Sequence, residues 1–175
     1  METRVENKVT TPLTKGLIIS LVIIVLDIIA GFAGYRFESW YTWLPTIIFC
    51  GAIIWACINY ANQMNNAVTF GNVFAHGFKT TAVVTCILIV YTLISIYLLF
   101  PNMKEIALEK ARQQMEKNPD VSEEMADQAI AMTSRLFVPF AIGGALIGNL
   151  ISGALASVLG AAFAKKNPPA PFQQS

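Results

Sequence analysis

The sequence predicts an all-α fold: an integral membrane bundle of four transmembrane helices, with a helical extramembrane loop between the third and the fourth. The chain has 175 residues, of which 55% are hydrophobic and only 13% are charged. Its apolar residues gather in four long runs rather than in amphipathic patterns, which is typical of membrane spans. Because four spans of about 20 residues take up roughly half of the chain, we expect a single membrane domain and no separate soluble one.

The last apolar run is the clearest of the four. From Pro139 to Ala164 it holds no charged side chain, and at 1.5 Å per residue it crosses a hydrocarbon core of roughly 30 Å. In lipid, helices associate through close backbone approach over small residues. We therefore predict a helix-packing face from the small residues at every fourth position. These are Gly144, Gly148, Ser152, Ala156 and Gly160, with a parallel row of Gly153, Ser157 and Ala161.

The predicted boundaries follow the apolar runs. The transmembrane domain covers residues 16–166, between a polar cytoplasmic tail at 1–15 and a proline-rich tail at 167–175 that we expect to be disordered. We place the spans at residues 16–34, 44–60, 80–100 and 139–164, and the helical loop at residues 102–135.

Proline and threonine mark the predicted helix starts. Pro12 is expected to delay the first helix, whereas Pro45 is tolerated in the first turn of the second, where its missing amide would be unpaired anyway. Thr69 is predicted to cap a short helix with a phenylalanine at every fourth position from Phe70 to Phe78. We expect this helix to lie on the membrane surface before the third span begins.

The loop between the third and fourth spans is expected to hold two helices. The first covers Met103 to Lys117 and is broken by the Asn-Pro pair that follows. The second starts at the capping-box pair Asp120 and Glu123, continues into the fourth span and is kinked by Pro139. Its apolar stripe consists of Val121, Met125, Ala129, Met132 and Leu136. Either the helix pair is solvated charge, or this stripe docks a partner or folds back on the bundle.

The basic residues divide equally between the two sides of the membrane. With both termini inside, each side holds six lysine or arginine residues. Most of the outer ones lie in the long loop among seven acidic residues. The inner ones flank the spans in short segments, where the positive-inside rule counts most. We therefore expect both termini in the cytoplasm.

Asp27 is the one ionisable residue in the middle of a predicted span. An intramembrane carboxylate is costly and is by default a functional hypothesis, or else a protonated group with a hydrogen-bond partner. Tyr91 on the third span and Asn149 on the fourth fall at nearly the same fractional depth. We predict a polar layer of Asp27, Tyr91 and Asn149 near the midplane, with Asp27 neutral because lipid raises a carboxyl pKa. The layer either pins the helices together or couples a proton to a solute.

Other chemistry-bearing residues are few. Cys50, Cys57 and Cys86 fall in apolar runs and are expected to act as small hydrophobes. His76, the single histidine, either senses pH at a membrane entrance or is plain polar surface. The sequence holds no enzyme motif and no metal-ligand spacing, so we expect no catalytic residue, cofactor or metal. A net charge of +1 without a basic cluster argues against nucleic-acid binding.

Several features follow one another in a recognisable order. They are a short basic tail, an aromatic turn after the first span, the run Thr69-Phe70-Gly71-Asn72-Val73-Phe74, the pair Phe100-Pro101, and a glycine-rich last span closed by Lys165-Lys166. In this order they resemble the bacterial membrane proteins catalogued as domain of unknown function 4199, and the TFG-x-x-F run is the most specific piece. The resemblance covers almost the whole chain. It implies a four-helix protein of the bacterial inner membrane and carries over no catalytic or binding residue.

Two functions stay open at this point. The first is an interaction or accessory subunit that associates with another membrane protein, or with a second copy of itself, through the small-residue face of the last span. The second is a small proton-coupled transporter or channel that uses Asp27. In both cases the lipid bilayer surrounds the protein.

Overall fold

The computed structural model of the chain describes residues 9–118 and 121–167. These residues form six α-helices and no strand, which confirms the all-α class. The helices are α1 (Pro12–Phe32), α2 (Leu44–Gln63), α3 (Phe70–Ile94), α4 (Met103–Glu116), α5 (Glu123–Arg135) and α6 (Phe137–Phe163). A 3-10 turn at Tyr35–Phe37 follows α1, and a π-helical segment at Ser95–Leu99 extends α3.

Four of the helices are long and apolar enough to cross a membrane: α1, α2, α3 with its π-helical extension, and α6. In each, only 22% to 33% of the residues in the most apolar stretch are buried inside the protein. Many of the remaining apolar side chains, such as those of Leu21, Ile29 and Val90, face outward, which is favourable only in lipid. The chain is a multi-pass membrane protein in contact with the bilayer.

The first helix begins four residues before the predicted span. Thr11 is its N-cap, and the Thr11 hydroxyl accepts a hydrogen bond of 3.2 Å from the amide of Thr14. Pro12 occupies the first helical position, where a proline forfeits no hydrogen bond. The expectation that Pro12 delays the helix is therefore wrong, while Pro45 occupies the first turn of α2 as predicted.

The phenylalanine-bearing segment is the beginning of α3 and not a separate surface helix. The hydroxyl of Thr69 accepts a hydrogen bond of 3.3 Å from the amide of Asn72, so the predicted cap is confirmed. From Phe70 the helix continues without a break into the third span. No proline lies between Phe70 and Thr80 to interrupt it. The rings of Phe74 and Phe78 stack with their centroids 5.9 Å apart.

Helices α5 and α6 are separated by one residue. Leu136 has φ −105° and ψ 15°, outside the α-helical range, and it lies three positions before Pro139. A proline ring clashes with the carbonyl of the fourth residue before it, here Arg135. The predicted interruption by Pro139 therefore takes the form of a break at Leu136. The start of α5 is capped by Ser122, whose hydroxyl accepts from the amide of Met125, while the predicted cap Asp120 lies outside the described residues.

The chain divides into two compact units. The first comprises residues up to Ile87 and from Gly148 onward, and the second comprises Leu88–Ile147. In the second unit α4 and α5 form a hairpin, and Arg112 of α4 pairs with Asp127 of α5 at 2.8 Å. The predicted helical loop is therefore an antiparallel helix pair.

Close approach over glycine holds the first unit together. A Cβ placed on Gly153 of α6 would overlap the side chain of Thr81 on α3. One placed on Gly160 would lie 2.6 Å from the Cβ of Cys57 on α2. Likewise, one on Gly16 of α1 would lie 2.5 Å from a methyl carbon of Val83 on α3. Only glycine permits these helix spacings, in agreement with the way helices pack in lipid.

Candidate functional site

The predicted packing face of α6 is divided along its length. Ala156 is 1% exposed and Gly160 is buried, so this half of the row packs inside the first unit. Ser152 is half-buried, and its carbonyl oxygen accepts a hydrogen bond from the thiol of Cys50, with 3.9 Å between sulfur and oxygen. Gly144 and Gly148 are exposed, and no described atom lies within 4 Å of a Cβ built on either. The row therefore has a packed half, at Ala156 and Gly160, and an open half, at Gly144 and Gly148.

Asp27 forms an ion pair near the end of α1. Its Oδ2 atom lies 2.7 Å from Nη2 of Arg36, and its Oδ1 atom accepts a hydrogen bond of 3.3 Å from the hydroxyl of Tyr41. Both charged side chains are about 15% exposed. Arg36 belongs to the 3-10 turn and Tyr41 to the aromatic connection before α2, so one carboxylate ties three segments together.

The surroundings of Tyr41 change the pKa of its phenol. Burial, followed by the neighbouring Asp27 carboxylate, raises the pKa of Tyr41 to about 12, because both disfavour the phenolate anion. Tyr41 therefore remains a hydrogen-bond donor to Asp27 throughout the physiological pH range.

The other two members of the predicted polar layer lie on different elements. Tyr91 is 8% exposed on α3, in the second unit, and Asn149 is half-buried on α6, in the first. The layer of Asp27, Tyr91 and Asn149 stays a prediction.

A buried polar cluster lies inside the first unit, and sequence reasoning missed it. Its members, which we call the inner polar cluster, are Lys15, Cys57, Tyr60 and His76. Lys15 is 1% exposed, and its ammonium group donates a hydrogen bond of 3.1 Å to the carbonyl of Ala56. His76 is 6% exposed, and its ring stacks on Tyr60 at a centroid distance of 4.1 Å. The interpretation of His76 as plain polar surface is therefore wrong.

The thiol of Cys57 is a structural donor within this cluster. It points at the carbonyls of Val73 at 3.7 Å and of Ser157 at 4.0 Å, which belong to α3 and α6. Nε2 of His76 has no hydrogen-bond partner among the described residues.

A periodicity argument could have found the inner polar cluster. Lys15 shares one face of α1 with Ile19 and Ile23, which are 5% and 8% exposed. These three positions follow the four-residue spacing of a buried helical stripe. Sequence reasoning instead assigned Lys15 to the cytoplasmic tail, because a lysine at the edge of an apolar run usually reaches the headgroups.

The described residues contain no group of three or more His, Cys, Asp or Glu side chains positioned to hold a metal ion. The inner polar cluster combines an amine, a thiol, a phenol and an imidazole, without a carboxylate. Its chemistry is that of hydrogen bonding and packing between α1, α2, α3 and α6.

A family model described as "Protein of unknown function (DUF4199)" matches residues 14–166. The chain belongs to this family. The range that matches the DUF4199 model contains the greater part of all four apolar helices, the inner polar cluster and the α4–α5 hairpin. No curated protein and no solved structure matches the chain. The family therefore supports the membrane architecture and assigns no activity to any residue.

Proposed function

We propose that this DUF4199 protein is an interaction or accessory subunit, which binds another membrane protein or a second copy of itself through the open half of the small-residue row on α6. The observation that carries the proposal is the exposure of Gly144 and Gly148, with open space where a side chain would be. The protein is not proposed to be an enzyme.

The packed half of the row supports this proposal, because small residues of α6 already lie at close helix–helix contacts there. At Gly160 of this row, and at Gly153 of the parallel row, small residues allow neighbouring helices to approach closely. In lipid there is no hydrophobic gain from pairing helices, so contact depends on van der Waals packing over such surfaces. Gly144 and Gly148 offer the same smooth surface between the exposed side chains of Phe140, Ile147 and Ile151.

The proton-coupled alternative receives less support. A coupling carboxylate has to release and bind a proton as the protein works. Asp27 instead has a guanidinium at 2.7 Å and a phenol donor at 3.3 Å, and these contacts favour a structural role. If Asp27→Asn abolished a measured flux while the fold stayed intact, the transport function would replace the one proposed here.

We also infer a location in the bacterial inner membrane with both termini in the cytoplasm. At one end of the first unit Thr10 is hydrogen-bonded to Gln63, and the amide of Asn167 donates to the carbonyl of Asn66. The segments before α1 and after α6 therefore lie beside the α2–α3 connection, together with the basic pair Lys165-Lys166. In intact cells an impermeant thiol reagent should label Lys117→Cys and spare Lys166→Cys; the reverse pattern would invert the topology.

The interaction is tested by native mass spectrometry of the protein released from its own membrane in mild detergent. We expect wild type to carry a second polypeptide at a fixed ratio, either a different protein or another copy, and Gly148→Leu to lose it. Ala162→Leu is the matched control, because it places the same leucine side chain on another exposed small residue of α6. Thermal unfolding of both variants should match wild type.

Two results would contradict the proposal. One is recovery of wild type only as a lone monomer, under conditions that preserve other membrane complexes. The other is retention of the partner by Gly148→Leu to the same extent as by Ala162→Leu. In the second case the contact would lie on another surface.

A further inference from the structure

The outer surface of α5 contains a concavity of about 420 Å³ next to the start of α6. Its lining residues are Gln128, Ala131, Met132, Arg135 and Leu136. Met132 is 60% exposed and Leu136 is 37% exposed, so two apolar side chains are uncovered beside one cation and one amide. This surface is not the one that holds the hairpin together, since Ala126, which is 4% exposed, and Asp127 face α4.

The concavity lies at the boundary of the bilayer. Leu136 is the single residue between α5 and α6, and α6 is one of the helices long and apolar enough to cross the membrane. Its 27 residues span about 40 Å at 1.5 Å per residue, more than the roughly 30 Å of a hydrocarbon core. The beginning of α6 and the last turn of α5 therefore lie at the level of the lipid headgroups, even where the helix tilts.

The charges around the concavity suit an anionic headgroup. The predicted loop at 102–135 holds seven acidic residues, yet the last of them is Asp127, and none of the lining residues is acidic. Arg135 is the only charged residue between Gln128 and Leu136, and it makes no ion pair with any residue that the structure describes. A guanidinium binds phosphate oxygens through two parallel hydrogen bonds.

The apolar part of the surface suits the rest of a lipid. Met132 and Leu136 are followed at the same four-residue spacing by Phe140, which is 54% exposed in the first turn of α6. These side chains lead from the concavity toward the hydrocarbon core. A ligand that places a phosphate at Arg135 can therefore lay an acyl chain along Leu136 and Phe140.

We propose that this surface, formed by Gln128, Met132, Arg135 and Leu136, is a binding site for an anionic phospholipid of the surrounding bilayer. The Arg135 guanidinium and the Gln128 amide hold the phosphate, and the apolar side chains hold the start of an acyl chain. The site anchors the end of the α4–α5 hairpin at the membrane surface. It is independent of the partner surface at Gly144 and Gly148.

The test is native mass spectrometry of the full chain in detergent, titrated with phosphatidylglycerol. Arg135→Gln should weaken the tightest lipid-bound state by roughly fivefold, the loss expected for one basic residue at a membrane surface. Lys117→Gln is the matched control, because it removes one positive charge from an exposed residue of the same loop. It should leave that state within a factor of two of wild type.

A second probe distinguishes binding of the whole lipid from binding of its headgroup alone. Glycerophosphoglycerol, which has the phosphate but no acyl chains, should bind far more weakly than the lipid, and Met132→Glu should reduce lipid binding. The proposal is overturned if the two charge variants lose lipid equally, because attraction to any positive charge of the loop then suffices. It is also overturned if the free headgroup binds as tightly as phosphatidylglycerol.

Discussion

The guanidinium of Arg36 lies 2.7 Å from the carboxylate of Asp27, and this pair joins the last turns of α1 to the 3-10 turn that follows the helix. Because α1 extends from Pro12 to Phe32, Asp27 is five residues from its end, which corresponds to about 8 Å along the axis. An anion at this depth, with a cation beside it, fixes the exit of the chain from the first span.

The Asp27–Arg36 pair is expected to contribute measurably to stability. Asp27→Asn leaves the guanidinium without its carboxylate in a largely buried position, and should lower the free energy of unfolding by about 2–3 kcal/mol. The double variant Asp27→Asn/Arg36→Gln should recover part of this loss. A double-mutant cycle measured by unfolding in detergent checks the pair, and a coupling energy near zero would show that the two groups act independently.

Tyr41 provides a pH-dependent reporter of the same contact. Its phenol has an ordinary pKa of about 10, and the folded protein raises the pKa of Tyr41 to about 12. The raised pKa means that the folded state holds the proton more tightly. This stabilisation is therefore fully present below pH 10 and is lost as the pH rises through 12.

The phenols can be titrated spectroscopically in wild type and in Tyr41→Phe. The difference between the two titrations should show one group that ionises near pH 12. In Asp27→Asn the same difference should move to lower pH, because the carboxylate is one cause of the shift. A Tyr41 midpoint at pH 10 in wild type would contradict the buried contact.

Gly153 is expected to tolerate no side chain. A methyl group there would overlap Thr81, so Gly153→Ala should lower the free energy of unfolding by about 1–3 kcal/mol through overpacking. The control is Gly51→Ala on α2, which has no atom within 4 Å of the added carbon. Thermal unfolding should separate the two variants, and equal midpoints would place Gly153 outside a tight helix contact.

Lys15 is expected to stabilise the first unit through its aliphatic stem more than through its charge. A buried ammonium with one carbonyl partner recovers little of its desolvation cost. Lys15→Met keeps the stem and should change the free energy of unfolding by less than about 1 kcal/mol. Lys15→Ala leaves a cavity and should cost about 2–3 kcal/mol. Equal losses in the two variants would show that the ammonium group itself holds the helices.

Much of the architecture can be predicted from the sequence, because membrane spans are set by local composition. A helix must satisfy its own backbone hydrogen bonds in lipid, so an apolar run of sufficient length is enough to predict each span. The cap at Thr69, the start of α2 near Pro45 and the break caused by Pro139 follow from local stereochemistry in the same way. The prediction for Pro12 was wrong because proline, which breaks a helix in its interior, is also favourable at the first position of a helix.

The side-chain partners could not be predicted, since they depend on which helix faces meet. The small residues of α6 form one row in the sequence, yet only the tertiary packing decides that Gly160 is covered by Cys57 and Ile54 of α2 while Gly148 stays open. Fractional depth along separate spans gave no hint that Arg36 and Tyr41, which follow α1 in the chain, contact Asp27.

The sequence by itself therefore determined that this is a membrane protein of four apolar helices with a helical loop, because hydrophobic length and helix signals are properties of continuous segments. Only the tertiary structure decided that Lys15 and His76 are buried and that Asp27 is paired. Those outcomes depend on residues 9 to 41 positions away along the chain, namely Arg36 for Asp27, Tyr60 for His76 and Ala56 for Lys15. Contacts of that kind arise only when the helices have packed.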